Sequence, residues 1–221
     1  VAQPLEAAFA PGEILGLYGL VGSGRSSVAR TITGQRRAAS GTIIMHGEQV
    51  HLTSPGGALA KGIAYVTEDR RLEGFVKDFD NGENISLVVL PRMAKAGVVQ
   101  AGVERTRVRE LIKEYQVKGG PKTYTRNLSG GNQQKVVVAK WLEADPDFVV
   151  LDEPTKGIDV GARANIYEII HRLAARGKGV GQVVLVDALL AVVVAEASFT
   201  GERRAGHLAR SLLLHVAIVV A

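Results

Sequence analysis

The chain has 221 residues, a formal net charge of +5, 46% hydrophobic residues and no cysteine. That length suits one sizeable α/β domain with room for an inserted subdomain. The missing thiols exclude a disulfide frame and a cysteine metal site and suit a cytoplasmic protein, while scattered basic pairs and only 5% aromatics argue against a nucleic-acid surface.

Residues 1–15 read as an edge segment, with Phe9 before a turn at Pro11-Gly12-Glu13. Ile14-Leu15-Gly16-Leu17-Tyr18 then forms a strand that runs into Gly19-Leu20-Val21-Gly22-Ser23-Gly24-Arg25-Ser26-Ser27. This fits G-x-x-x-x-G-K-[ST] with arginine in the lysine position. The context is right: a strand before, and a helix after with Val28, Ala29 and Ile32 on its apolar face and Gly34 as its C-terminal cap. The glycines let backbone amides wrap a phosphate, and Ser26 offers an oxygen to Mg2+. Arginine is forked and bulkier than lysine, so Arg25 predicts phosphate binding in an altered pose and slower hydrolysis.

Ser40-Gly41-Thr42-Ile43-Ile44-Met45-His46-Gly47 alternates and turns at Gly47-Glu48, an antiparallel hairpin beside the phosphate loop. His46 and His51 flank the turn, exposed and without partners at metal-ligand spacing. Gly62-Ile63-Ala64-Tyr65-Val66 is a buried strand ending in Thr67-Glu68-Asp69-Arg70-Arg71, which taken alone reads as a solvated charge cluster. Asn84-Ile85-Ser86-Leu87 begins a helix, residues 103–115 carry helical spacing through Val108, Leu111 and Ile112, and Gly119-Gly120-Pro121 is a loop.

Leu128-Ser129-Gly130-Gly131-Asn132-Gln133-Gln134-Lys135 puts a hydroxyl and two glycines at the mouth of a helix that continues to Leu142. Ser129 is read as its N-cap, and the glycines leave the next amides open, an anion-attracting arrangement. After Pro146, Phe148-Val149-Val150-Leu151 is a buried parallel strand that delivers Asp152 and Glu153 at its C-terminal end, where open α/β sheets bind ligands. Asp159 caps the next helix, with Ala162, Ile166, Ile169, Ile170 and Leu173 on its apolar face and Gly177 at its end. Val183-Val184-Leu185-Val186 is a further core strand. The apolar runs at 183–195, broken by Asp187, and at 212–221 are shorter than the ~20 residues that span a bilayer, and no secretory signal opens the chain.

LSGGNQQK, then an apolar strand ending in Asp152-Glu153-Pro154-Thr155, then Gly157-Ile158-Asp159, resembles the signature, Walker B and D-loop of ABC-transporter ATPases. A capped helix before a core strand accounts for the secondary structure but not for the glycine pair or the doubled acid. GIAYVTEDRRLEG, with Glu68 where most of the family carries glutamine, joins Arg25 and NLSGGNQQK in resembling one subclass: the second, C-terminal nucleotide-binding domain of bacterial importers of the ribose, xylose and galactoside kind. The resemblance covers residues 5–180. It implies a P-loop NTPase fold of ABC type, a mostly parallel core sheet flanked by helices, with an antiparallel β segment and an inserted α-helical subdomain. On that reading 1–221 is one nucleotide-binding domain with its insertion at about 75–145 and a divergent tail at 181–221. In the tail Asp187-Ala188-Leu189-Leu190 stands where a switch histidine or Ser-Ser-Glu belongs, and His207 and His215 come too late. The tail is either truly divergent or the product of a reading frame lost upstream. The aromatic residue that stacks on adenine would precede Val1.

The resemblance also implies ATP and Mg2+ as ligands. Gly19, Gly22, Ser23, Gly24, Arg25, Ser26 and Ser27 would bind the nucleotide, with Arg25 offsetting phosphate charge. Ser26 and Asp152 would hold Mg2+, and Glu153 would act as the catalytic base on the attacking water. Ser129, Gly130, Gly131 and Gln133 would complete the site of a second ATPase domain in a head-to-tail dimer. Glu68 stands in the loop facing Mg2+, water and the membrane domain, and Asp159 in the D-loop. The partners implied are that second domain, permease subunits and, indirectly, a periplasmic sugar-binding protein, with no nucleic acid. The location implied is peripheral, at the cytoplasmic face of the inner membrane. ATP-driven closure would move the permease. The alternative is a catalytically weak half that binds ATP and supplies the signature to its partner. A soluble ABC ATPase of DNA repair or translation is a third reading, disfavoured by Arg25.

Overall fold

The computed structural model describes residues 3–19, 22–185 and 214–220. In chain order the elements are β1 (Gln3–Phe9), β2 (Ile14–Gly19), α1 (Arg25–Ile32), β3 (Ser40–Met45), β4 (Glu48–Val50), α2 (Pro55–Ala60) and β5 (Ile63–Val66). Then come α3 (Asn81–Ser86), β6 (Ala94–Lys95), β7 (Val98–Val99), α4 (Ala101–Glu114) and α5 (Gly130–Leu142). They are followed by β8 (Phe148–Asp152), α6 (Val160–Ala175), β9 (Gly179–Leu185) and β10 (Leu214–Val220). The chain divides into two compact units, residues 1–65, 147–153 and 170–221 in the first, and residues 66–146 and 154–169 in the second.

The first unit carries the sheet β2-β9-β8-β5, with β9 parallel to both β2 and β8. Every residue of β5 and β8 is buried. Unbroken apolar runs, rather than alternation, are what parallel strands covered on both faces require. β9 begins at Gly179, four residues before the strand expected from Val183. Val186, the segment Asp187-Ala188-Leu189-Leu190 and His207 lie outside the described residues.

A second sheet has the order β1-β10-β3-β4. β10 pairs antiparallel with β1 from Gln3↔Val220 to Phe9↔Leu214, and with β3 from Leu214↔Met45 to Val219↔Ser40. Residues 214–220 of the apolar run at 212–221 thus supply a central strand. The β3–β4 turn falls on His46 (φ 52°) and Gly47 (φ 81°), one residue earlier than Gly47-Glu48. Two left-handed residues make the turn whose twist matches the flanking strands. His46 is half-exposed, with Nε2 3.2 Å from Asp147 Oδ2.

Phe9, Ile43, Met45, Ile63, Phe148 and Val150 lie in this unit's core, joined by Val28, Ala29 and Ile32, the predicted face of α1. The Phe9 and Phe148 rings meet edge to face with centroids 4.6 Å apart. Past α1, Gly34 is glycine for two reasons: its φ is 72°, and a Cβ there would stand 2.6 Å from the Ser54 carbonyl oxygen.

In the second unit α3 starts at Asn81, three residues before the expected Asn84. Asp80 and Glu83 explain the shift. The Glu83 amide donates to Asp80 Oδ1 (2.9 Å) and the Asp80 amide to Glu83 Oε2 (2.8 Å), a reciprocal capping box. Asn84 is instead a buried brace, accepting from the Val76 amide and donating to the Val76 carbonyl and Thr125 Oγ1. α5 is buried continuously from Gly131 to Lys140. Two lysines lie inside that stretch. Lys135 Nζ donates to the Gln116 carbonyl at 3.2 Å, and Lys140 Nζ to the Gly74 carbonyl.

Two changes test these cores. Phe148→Ala should lower stability by about 3–5 kcal/mol in urea unfolding; a loss under about 1 kcal/mol would contradict the central placing of that ring. Burial pushes the Lys140 ammonium down to about 8 from its ordinary 10.5. The unfolded chain then holds more protons between those two values, so stability is penalised below pH 8 and rises toward pH 10.5. Lys140→Met should abolish that rise, which approaches about 1.4 kcal/mol per pH unit at its steepest. Parallel pH profiles for the two proteins would overturn the assignment.

Candidate active site

The phosphate-loop segment is described up to Gly19, at the end of β2, and again from Gly22. Gly22 (φ 83°) and Gly24 (φ 87°) are left-handed, and nothing lies within 4 Å of where a Cβ would sit on either. Gly24 is the N-cap of α1 and offers no side-chain cap. The first amides of the helix therefore face outward at its positive end. Ser23 Oγ accepts from Arg25 Nε at 3.2 Å, and Ser27 Oγ accepts from Arg36 Nη1 at 2.9 Å. Ser26 Oγ donates to Asp152 Oδ1 at 3.3 Å. Residues 126 positions apart are thus joined because β2 and β8 flank β9 and end on the same side.

Asp152 is fully buried, and its second oxygen is also occupied. The Tyr65 hydroxyl, from β5, donates to Oδ2 at 2.9 Å. Burial and the neighbouring Asp152 charge push the Tyr65 phenol up, so it stays a donor. Tyr65 is not among the site residues that the motifs single out. Its signal was a phenol in an otherwise aliphatic strand, because a buried hydroxyl requires a partner. Next along, Glu153 takes φ 47°, a left-handed conformation that is uncommon for a side-chain-bearing residue. Its carboxylate lies 3.8 Å from Arg25 Nη1, with both side chains about nine-tenths buried. Arg25, expected on the phosphates, thus contacts the proposed base. The donor set fits a hard cation: a hydroxyl and a carboxylate oxygen converge beside open helix amides.

The second unit collects the remaining motif residues. Ser129 does hold the N-cap position of α5, but its hydroxyl caps no helix amide. It accepts instead from Asn132 Nδ2 at 2.9 Å, and Asn132 is held in that pose by the Lys118 amide at its Oδ1. The glycine pair has a further cause besides open amides. A Cβ on Gly130 would lie 2.5 Å from Arg70 Nη2, and one on Gly131 would overlap the Ala162 methyl. Gln133 is buried and donates to the Arg126 carbonyl at 3.2 Å. Asp159 Oδ1 accepts from the Ala162 amide at 2.9 Å, the expected cap of α6. The charge run after β5 is solvated only in part, with Asp69 and Arg71 exposed. Glu68 pairs with Lys156, Asp69 Oδ1 accepts from the amides of Arg71 and Leu72, and Arg70 is buried. The predicted residues therefore form two groups: Arg25, Ser26, Asp152 and Glu153 in the first unit, and Glu68, the signature and Asp159 in the second.

A glycine loop opening a helix, a serine on a buried strand-end aspartate and a glutamate after it define a P-loop nucleotide-binding domain. The chain belongs to the ABC transporter family, whose family model matches residues 2–156. Over 167 residues it is 46% identical to the ribose import ATP-binding protein RbsA of Halalkalibacterium halodurans, covering 75% of this chain and 34% of that protein. Over 226 residues it is 39% identical to the arabinose import ATP-binding protein AraG of Pseudomonas syringae pv. tomato, covering 98% of this chain and 44% of that one. It thus spans less than half the length of these relatives. The dimeric, post-hydrolysis ATP-binding cassette MJ0796 with ADP and Pi has the same fold, at a TM-score of 0.69 and 21% identity over 80% of this chain and 77% of that one. A nucleotide-free ATP-binding cassette matches at 0.70 and 18% identity, covering 86% and 76%. Among the described residues no helix is long and apolar enough to cross a membrane.

Tyr65→Phe removes one donor from a buried carboxylate and should cost about 1.5–3 kcal/mol in chemical unfolding. A change below about 0.5 kcal/mol would show that the phenol does not support Asp152.

Proposed function

We propose that this chain is the ATP-binding and ATP-hydrolysing domain of a sugar ABC importer, the C-terminal half of a two-domain polypeptide. The observation that carries the proposal is the meeting of Ser26 with Asp152 beside the uncapped start of α1. Amides from Gly22 to Ser26 cradle the triphosphate, with Gly19 and Ser27 at the loop's two ends. Ser26 and Asp152 supply oxygens to Mg2+, which when bound neutralises phosphate charge. Tyr65 keeps the Asp152 carboxylate turned toward Ser26. Glu153 accepts the proton of the attacking water, a role open to it because Asp152 takes the metal position. Ser129, Gly130, Gly131, Gln133 and Asp159 serve the nucleotide of a second ATPase domain in a head-to-tail pair, and Glu68 lies in the loop that faces the permease. Residues 1–221 form one nucleotide-binding domain with a helical insertion at about 75–145. The chain sits peripherally at the cytoplasmic face, and a periplasmic sugar-binding protein acts through the permease.

One observation favours a second reading, a domain that binds ATP but turns it over slowly. The Arg25–Glu153 contact sets a guanidinium charge beside the carboxylate that would act as base.

ATP turnover separates the two. If Glu153 is the working base, Glu153→Gln lowers kcat by about 10²–10⁴-fold while ATP binding changes little. If the contact restrains it, wild-type turnover is slow and Arg25→Lys raises kcat several-fold. Turnover indifferent to Glu153→Gln removes the catalytic assignment. Ser26→Ala should weaken ATP binding about tenfold or more with magnesium present and much less in chelator; equal losses would detach Ser26 from the metal.

A further inference from the structure

The buried guanidinium of Arg70 lies outside the phosphate site, and its surroundings in the second unit are unusual. A buried arginine requires partners for its charge, most often a carboxylate. No neighbouring acid bonds it directly: Glu68 pairs with Lys156, and Asp69, whose charge still favours the guanidinium, accepts from the amides of its own turn. Arg70 instead donates from Nη1 to the Lys156 carbonyl at 2.7 Å and from Nη2 to the Gly157 carbonyl at 2.9 Å. Successive carbonyls of an extended chain point to opposite sides. Gly157 is left-handed at φ 64°, and that turn aims both oxygens at the same planar fork. The signature helix closes on the same spot. A Cβ on Gly130 would lie 2.5 Å from Arg70 Nη2 and 2.9 Å from the Gly157 carbonyl oxygen. Arg70 is itself anchored from behind. A Cβ on Gly74, at the end of its turn, would stand 3.0 Å from both Arg70 Cβ and Val137 Cγ2, and Lys140 holds the Gly74 carbonyl.

We infer that Arg70 is a positioning residue that fastens the turn at Lys156-Gly157 to the mouth of α5, so that Gly130, Gly131 and Asp159 are held as one preformed surface. The part played by that surface rests on the function proposed above: it is the face offered to the nucleotide of a second ATPase domain. Lysine could not replace the fork. Its single ammonium is a point charge with no rigid pair of donors to match two carbonyls. The exposed Glu68–Lys156 pair spans the same two segments but adds little, because solvent screens it.

Amide hydrogen exchange on the full 221-residue chain tests the clamp. Arg70→Gln should speed exchange about tenfold or more both at 156–159 and at 129–133, while amides of β8 and α4 stay within about twofold of wild type. Arg70→Lys, which keeps the charge but gathers its donors on one nitrogen, should fall between the two. Wild-type exchange at 129–133 in the Gln variant, or acceleration spread evenly through β8 and α4, overturns the inference. ATP-dependent association of two copies, followed by light scattering, tests the reading beneath it. Association lost in Arg70→Gln supports that reading. Association unchanged while exchange responds as described leaves the clamp in place and removes its service to a second domain.

Discussion

A carboxylate that is wholly out of water has to be satisfied by its neighbours, and Asp152 sets that demand for the first unit. β8 carries it to the end of a strand with no exposed residue, so bulk solvent cannot solvate the charge. Two hydroxyls do so, Tyr65 from β5 and Ser26 from α1. Each comes from a different element, so the carboxylate ties the parallel sheet to the helix behind the phosphate loop. The energetics of the fold and the chemistry of the site meet at one side chain. A residue that must be buried and charged for its chemistry also dictates what stands on either side of it.

The two groups of motif residues are built in opposite ways. Around Asp152 the charge belongs to a side chain, and Ser26 and Tyr65 meet it with hydroxyls. Around Arg70 the charge is again on a side chain, but the partners are main-chain carbonyls gathered by a left-handed glycine. Left-handed residues recur where the chain has to turn sharply after a motif, at Glu153 as well as Gly157. At Glu153 the strain falls on a residue with a full side chain, as happens where geometry serves function before stability.

Most of the first unit was legible in the sequence because its signals are local. Strand-glycine-helix patterning located the phosphate loop, and an apolar run ending in two acids located β8. In the second unit the helix cap at Asp159 followed in the same way, from side-chain chemistry one turn away. What escaped depends on contacts between distant segments. Tyr65 looked like one more apolar strand residue until β8 stood beside it. Arg70 looked solvated because sequence gives its neighbours along the chain, not the carbonyls 86 and 87 positions away. Ser129 took the expected position, yet its hydroxyl went to Asn132, a competition that spacing alone does not decide. The start of α3 is written locally, in the reciprocal cap of Asp80 and Glu83.

The antiparallel sheet places a late segment between two early ones. β1 and β3 both lie within the first 45 residues, and their shared neighbour starts at Leu214. During synthesis these strands emerge with hydrogen-bonding edges uncovered, and no nearby segment pairs them with each other. Closing a loop of about two hundred residues is slow, and exposed edges invite strangers in the meantime. A ribosome stalled before residue 214 would therefore hold a nascent chain whose parallel sheet has all its strands while its second sheet lacks the one that joins it.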